Sequence, residues 1–244
     1  MSINRPFEID FYSLSKSELI KDISALADQS YCYIVTPNIN HIVQLKSNTP
    51  LRLAYENAKY RVCDSKILFP ILTLLGKKIE EVIPGSTLTV ELLSIANSNS
   101  WTIVVIGCER SEIQKLEAKY ENITFRHHNP PMGFIKDTVL IEECVEFIIE
   151  NPAQLIVFSV GCPQQEILAH RISMKSNVTG VGLCAGASLN FASGKNKRAP
   201  LIIQKIGLEW LHRILMEPRR LARRYLSDAI KLAPILVEEL TKRK

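Results

Sequence analysis

The chain has 244 residues, of which 46% are hydrophobic and 23% are charged, and its formal net charge is +5. This composition is typical of a folded protein with a sizeable core. No apolar stretch is long enough to cross a bilayer and the first residues lack the apolar run of a secretory signal, so we expect a cytoplasmic protein.

Short apolar runs alternate with amphipathic segments over the first 194 residues. The apolar runs predict strands at 32–38, 102–107, 123–128, 154–161 and 177–183. The amphipathic segments predict helices at 15–29, 85–98, 111–122 and 138–151. Strands that are apolar throughout are typical of a sheet covered on both faces. The alternation therefore predicts an α/β fold with a mostly parallel sheet and helices on both faces.

Polar residues follow the predicted strands. Thr36 and Asn38 follow the first strand, and Gln165 and Glu166 open a helix after the fourth. Because ligands bind at the carboxyl ends of strands in open α/β sheets, these side chains predict a binding crevice. A second interpretation stays open, in which Thr36 and Asn38 only end a strand and Glu166 only complements a helix dipole.

Asp64 follows a short apolar stretch in the sequence YRVCDSKI. The local sequence favours a helix N-cap, a role that aspartate performs well. The alternative is a carboxylate general base at the mouth of the crevice.

The six cysteines are scattered, and no CxxC pair occurs among them. Most lie in or beside apolar runs, which favours reduced thiols in the core over disulfides or zinc ligands. The sequence also lacks DxD, HxxxH, HxH and GxGxxG motifs. We therefore expect no metal and no cofactor.

The character of the chain changes near residue 195, where a basic helical segment begins. Nine of the 30 basic residues and two of the 25 acidic ones lie between 195 and 224, which leaves 21 basic and 23 acidic residues elsewhere. On a helix, Arg213, Arg220 and Arg224 would fall within about 40° of one another, with Arg219 and Arg223 beside them. Arginine suits phosphate, so we expect a phosphorylated ligand or a membrane surface here.

The ordered set of motifs resembles the WecG/TagA/CpsF family of bacterial glycosyltransferases. The motifs are TPNINHI, Asp64 after an apolar stretch, PGSTL, PPMGF, GCPQQE and KRAPLIIQKIGLEWLHRILMEPRRLARRY. The resemblance covers nearly the whole chain. It implies a Rossmann-like catalytic domain at 1–194 and a basic helical appendage at 195–244 that associates with membrane and closes the active site.

The resemblance also implies an activity. Family members transfer a sugar, N-acetylmannosamine in the best-known branch, from a UDP donor to N-acetylglucosamine on a polyprenyl diphosphate. They are inverting and metal-independent, and they act in cell-surface polysaccharide synthesis at the inner face of the cell membrane. The partners implied are the UDP-sugar, the lipid-linked acceptor and an anionic membrane surface, and a homo-oligomer stays open.

The resemblance assigns roles to residues as well. It makes Asp64 the base and places Thr36 and Asn38 beside it. Substrate-binding roles fall to Gln165 and to the tail arginines Arg213, Arg220, Arg223 and Arg224. This chain departs from the usual family pattern at four positions, which bear on the donor sugar: Ser65, Val82, Thr87 and Asn190.

Two alternatives to the enzyme remain. One is a family member that binds a nucleotide or a lipid-linked glycan without turnover. The other is a nucleic-acid-binding module that uses the basic tail. The tail interleaves arginine with leucine and isoleucine more than with base-stacking aromatics, so we expect no nucleic-acid partner.

Overall fold

The computed structural model describes residues 5–196, 199–200, 203 and 209–242. Its sheet has six parallel strands in the order β2-β1-β6-β5-β3-β4. The strands are β1 (Cys32–Val35), β2 (Tyr60–Arg61), β3 (Thr102–Gly107), β4 (Thr124–His128), β5 (Leu155–Ser159) and β6 (Val181–Cys184). The predicted α/β fold with a parallel sheet is confirmed. The two-residue strand β2 was not predicted, because it has no apolar run of its own.

Each of the four predicted helical segments, at 15–29, 85–98, 111–122 and 138–151, matches one of the helices that precede the tail. They are α1 (Lys16–Leu26), α2 (Ile39–Leu45), α3 (Thr49–Asn57), α4 (Leu68–Leu74), α5 (Gly85–Ser98), α6 (Arg110–Lys119), α7 (Thr138–Glu150), α8 (Gln164–Ser173) and α9 (Ser188–Ala192). Ser15 and Glu18 form a capping box that fixes the start of α1. Short 3-10 turns lie at Pro6–Glu8 and Phe134–Lys136.

The core consists of two layers on opposite faces of the sheet. Val104 and Ile106 of β3 point into one layer, and Ile103 and Val105 point into the other. This alternation follows from the two-residue period of a strand. The first layer is completed by α2, α3, α4, α7 and α8, and the second by α1, α5, α6 and α9. The helices on both faces are therefore confirmed.

The basic tail forms two helices, α10 (Glu209–Met216) and α11 (Pro218–Thr241). Pro218 lies at the start of α11, where the missing backbone N–H costs no hydrogen bond. Proline thus divides the arginine-rich segment, and the helical projection applies only within each helix. No helix in the described part of the chain is long and apolar enough to cross a membrane.

Helix α11 packs against α2, and its buried Leu232 and Ile235 join the first core layer. Close to its end, Glu239 accepts a hydrogen bond from the backbone N–H of Phe7, at 2.9 Å. The tail is therefore built onto the same core as the sheet. The division into units at 1–194 and 195–244 stays a prediction.

Candidate functional site

Four neighbouring strands end at one edge of the sheet, in the order β2-β1-β6-β5. Asp64 follows β2, Thr36 and Asn38 follow β1, and Gly186 follows β6. Gln165 lies at the start of α8, which begins shortly after β5. Parallel strands have their carboxyl ends on the same side, so the predicted site residues of the sheet come together there.

The Asp64 carboxylate is held at the start of a distant helix. Its Oδ1 accepts the backbone N–H of Gly85, the first residue of α5, at 2.7 Å. The Asp64 N–H donates to Pro37 O at 3.1 Å, which joins the ends of β1 and β2. Ser65 caps the local turn, because its Oγ accepts the N–H groups of Ile67 and Leu68. The dipole of α5 favours negative charge at this position, which suits a general base.

Thr36 and Asn38 both make structural contacts. The Thr36 hydroxyl donates to Cys184 O at 2.8 Å and ties β1 to β6. Asn38 Oδ1 accepts the N–H groups of Asn40 and His41 and caps α2. The Asn38 amide N–H groups make no hydrogen bond within the described residues, so they remain able to meet a ligand. The binding roles of Thr36 and Asn38 stay predictions.

Gln165 is buried, with a fixed amide orientation. Its Oε1 accepts the Gly186 N–H at 2.9 Å, and its Nε2 donates to Glu166 Oε1 at 2.8 Å. The bond to Gly186 ties the start of α8 to the loop after β6, and the bond to Glu166 fixes the Gln165 amide within α8. The geometry accounts for Gln165 as an organiser of the crevice, and its contact with substrate stays a prediction.

A buried polar cluster that the sequence did not predict lies behind Gln165. His41 Nδ1 is 2.6 Å from the Tyr55 hydroxyl and 3.9 Å from Glu166 Oε1. Burial raises the pKa of Glu166 to about 7. Burial, with a smaller effect of the Arg224 charge, lowers the pKa of His41 to about 4. His41 is therefore neutral at physiological pH, and Glu166 is easily protonated.

The same cluster contains atoms that can ligate a metal. His41, Cys162 and Glu166 bring potential ligand atoms within 4.8 Å of one another, and this donor set is one that zinc accepts. Burial and the adjacent carboxylate of Glu166 raise the pKa of the Cys162 thiol well above its usual value, and Tyr55 already contacts His41 Nδ1. A hydrogen-bonded network explains these contacts without an ion. The expectation of no metal stays a prediction.

The tail arginines differ in their exposure. Arg224 is half-buried, and its Nε is buried without a hydrogen-bond partner in the described part of the chain. The Arg224 charge reaches His41, because it lowers the pKa of that imidazole. Arg223 points to solvent. The side chains of Arg213 and Arg220 lie outside the described residues.

Arg224 packs on an aromatic pair that joins α11 to α10. Its guanidinium lies 5.4 Å from the centre of the Tyr225 ring, and that ring is 6.0 Å from the ring of Trp210. Arginine in such a setting stays charged while losing part of its water, which strengthens its attraction for an anion.

A separate cavity of about 280 Å³ lies between the first described residues, α3 and α11, and contains none of the predicted site residues. Its wall carries both signs of charge, with Arg52 and Arg61 facing Asp10 and Glu239. The charges largely offset one another, so the cavity does not select an anion.

Comparison with known proteins adds to this geometry. The model of the family described as "Glycosyl transferase WecG/TagA/CpsF family" matches residues 5–244. Relatives from Staphylococcus aureus strains MW2 and NCTC 8325 / PS 47 are 27% identical, and one from strain MRSA252 is 28% identical. Each alignment covers 97% of this chain and 91% of the relative. All three relatives are named N-acetylglucosaminyldiphosphoundecaprenol N-acetyl-beta-D-mannosaminyltransferase.

The raised pKa of Glu166 predicts a pH-dependent stability difference in Glu166→Gln. An acid whose pKa is higher in the folded state than in the unfolded state makes the folded protein less stable as pH rises from about 4.5 through about 7. Glutamine keeps the acceptor for Gln165 and does not ionise. Relative to wild type, the free energy of unfolding of the variant should therefore rise by about 2.5 kcal/mol between pH 5 and pH 8, measured by urea unfolding.

A matched control is Glu238→Gln on α11. Ion pairs with Lys242 and Lys46 lower the pKa of Glu238 to about 2, so its contribution is constant over the same pH range. A Glu166→Gln stability difference that does not change between pH 5 and pH 8 would contradict the predicted protonation of Glu166.

Proposed function

The chain belongs to the glycosyl transferase WecG/TagA/CpsF family, and from this membership we propose that it transfers N-acetylmannosamine or a related hexose from a UDP donor. The proposed acceptor is N-acetylglucosamine on a polyprenyl diphosphate, as the names of the relatives indicate for their own reaction. The product belongs to cell-surface polysaccharide synthesis. Family membership disfavours the non-catalytic and nucleic-acid-binding alternatives.

One observation carries the mechanism: a carboxylate and a cation approach the same short segment after β1. The Asp64 backbone N–H donates to Pro37 O in this segment, which places the Asp64 carboxylate beside it at the start of α5, and the charge of Arg224 acts on His41 at the end of the segment. An inverting transfer needs a base for the acceptor hydroxyl and a cation for the departing diphosphate. This arrangement supports Asp64 and Arg224 in those two roles.

The proposed step is a single displacement. The acceptor hydroxyl oxygen forms the new bond to the anomeric carbon while the bond from that carbon to UDP breaks. Asp64 takes the hydroxyl proton, and UDP leaves with the bonding electron pair as the diphosphate. Arg224 stabilises that charge with its fork of N–H donors. Arg213, Arg220 and Arg223 are proposed to add to the same positive field, with Thr36, Asn38 and Gln165 shaping the pocket.

The departures from the family pattern lie around the first turn of α5. Thr87 belongs to that turn, and Val82 precedes it by a few residues. Ser65 adjoins Asp64, which bonds to the start of α5, and Asn190 lies on α9, which packs against α5. We propose that this surface contacts the donor sugar, so the departures select which hexose is used.

Helix α11 also presents a face suited to an anionic membrane. Its exposed apolar residues follow one another at helical spacing: Leu226, Ile230, Val237 and Leu240. Arg219 and Arg223 fall within the same arc of about 100°, and no acidic residue of α11 does. Cationic and apolar groups together bind a lipid surface reversibly. We therefore propose peripheral association with the inner face of the membrane through this lipid face.

Three apolar side chains near the tail arginines do not belong to this lipid face. Leu221 is buried, and Trp210 and Tyr225 contact each other between α10 and α11. Leu221 packs inward and the two rings pack on each other, whereas the exposed apolar residues of α11 run from Leu226 to Leu240.

Transfer itself is tested with a synthetic lipid-diphosphate N-acetylglucosamine acceptor, a panel of UDP-sugars and excess EDTA. Mass spectrometry should show the acceptor with one added sugar, from UDP-N-acetylmannosamine or a related UDP-hexose. The chelator should leave the rate unchanged, because Arg224 and not a metal stabilises the diphosphate. Absence of product from every donor contradicts the proposed function, and a rate that depends on added Mg²⁺ or Mn²⁺ contradicts the metal-free mechanism.

Asp64→Asn should lower turnover by a factor on the order of 10²–10⁴, since asparagine cannot accept the hydroxyl proton. Asparagine still accepts the Gly85 N–H, so UDP affinity and folding should stay near wild type. Asp137→Asn is the matched control, because Asp137 caps the exposed start of α7, at Val139. Near-wild-type turnover in Asp64→Asn would show that the carboxylate only holds α5.

The lipid face is tested with Ile230→Glu combined with Val237→Glu. Binding to vesicles that contain anionic lipid should fall by at least about tenfold, because charge replaces inserted apolar surface. Turnover on a water-soluble acceptor should not change. Val139→Glu, at an equally exposed apolar position on α7, should bind like wild type. Equal vesicle binding by the double variant and wild type would exclude this face as the membrane contact.

A further inference from the structure

Helix α11 meets α2 through a polar pair that is largely shielded from solvent. The Asn40 Nδ2 group donates to both carboxylate oxygens of Asp228, at 3.0 and 3.1 Å. Asp228 is only 6% exposed. Asn40 Oδ1 in turn accepts from Gln44 Nε2 at 2.6 Å, which fixes the amide of Asn40. The pair therefore has one defined geometry.

Each residue of the pair lies close to a residue of the candidate site: Asn40 precedes His41 on α2, and Asp228 follows Arg224 on α11. Asn40 is in the first turn of α2, directly before His41, whose imidazole feels the charge of Arg224. Asp228 lies four residues after Arg224, so the two side chains share one face of α11. The hydrogen bonds between Asn40 and Asp228 thus attach α11 to α2 at a point about one turn after Arg224.

The other polar contacts of α11 that the structure describes lie far from this point. Glu238 pairs with Lys46 at 2.7 Å, and Glu239 accepts from Phe7 N at 2.9 Å. Both are ten or more residues beyond Asp228, which is about 15 Å along a helix. They hold the far end of α11 and cannot set the position of Arg224.

Apolar packing alone does not define the register of α11 on α2. Hydrophobic contact is non-directional, and a shift of one turn would move Arg224 by about 5.4 Å. A buried carboxylate is costly to desolvate, and an apolar contact would hold the helix as well. The Asn40–Asp228 hydrogen bonds add a defined register between α11 and α2. A defined register matters if a residue of α11, such as Arg224, must occupy one position.

The pair also bears on whether the Arg224 guanidinium has an ion-pair partner on its own helix. No ion pair joins Asp228 to Arg224 within the described structure, since both Asp228 oxygens face Asn40. The guanidinium on the preceding turn is therefore not neutralised by the nearest carboxylate of its own helix. It remains available to an external anion.

From these contacts we propose that Asn40 and Asp228 are positioning residues, which place Arg224 to bind the diphosphate of the nucleotide donor. The proposal rests on the proposed function, because it assigns Arg224 to the donor. Neither residue touches the donor, and their effect on its affinity passes through Arg224.

The test uses UDP and calorimetry on the full chain. Arg224→Gln should weaken UDP binding by at least about tenfold, through loss of a charge-assisted contact. Asn40→Asp sets two carboxylates against each other and should weaken UDP binding by a similar factor. The exchanged variant, Asn40→Asp with Asp228→Asn, restores a donor opposite two acceptors. Its affinity for UDP should return to within about threefold of wild type.

A further comparison separates positioning from general damage. In an Arg224→Gln background, adding Asn40→Asp should not weaken UDP binding any further, because the residue through which it acts is gone. The control is Glu238→Gln, which breaks the exposed ion pair to Lys46 at the far end of α11 and should bind UDP like wild type.

Three results would overturn the proposal: wild-type affinity in folded Asn40→Asp, no recovery in the exchanged variant, or a further loss in the Arg224→Gln background. If Asn40→Asp does not fold, Asp228→Ala gives the same comparison, because it removes both acceptors of the Asn40 amide. A wild-type protein that does not bind UDP overturns the proposed function, and the positioning role with it.

Discussion

One short segment, residues 36–41 after β1, contacts four separate parts of the crevice. Thr36 joins it to β6, Pro37 accepts from Asp64, and Asn38 caps α2. Asn40 holds α11, and His41 faces the buried carboxylate of Glu166. Because β1 is an inner strand of a parallel sheet, the position of this segment is fixed by pairing on both sides. Asp64, the arginine helix and the buried cluster are therefore all positioned against the same segment.

The buried cluster has a different physical character from the rest of the crevice. Asp64 and Arg224 keep access to solvent, whereas Glu166 and His41 lie in a low-dielectric interior that disfavours their charged forms. Such groups supply directional hydrogen bonds without a strong field. In the proposed mechanism, charge is kept at the surface of the crevice for the reaction, and the interior orients Gln165 and the loop at Gly186.

The sequence predicted what depends on neighbouring residues and missed what depends on distant ones. The apolar runs identified five of the six strands, and the segment from 85 to 98 matched α5 at both ends. The family motifs led to Asp64 and Gln165. The contact between Asn40 and Asp228 spans 188 positions, and although Asn40 lies in the TPNINHI motif, nothing in the sequence pairs it with Asp228. The helical projection of the arginines applies only within each of the two tail helices, because the chain begins a new helix at Pro218.

The long separation between α2 and α11 has a consequence for the growing chain. At a synthesis rate of about 5–20 residues per second, α2 is made roughly 10–40 seconds before the residues that cover it. During that interval the apolar side of α2, including Ile42 and Leu45, lacks part of its final cover. A nascent chain at this stage offers a binding surface to chaperones. It also lacks Arg224, so a fragment released at this stage would hold the proposed base without the arginine that is proposed to bind the nucleotide.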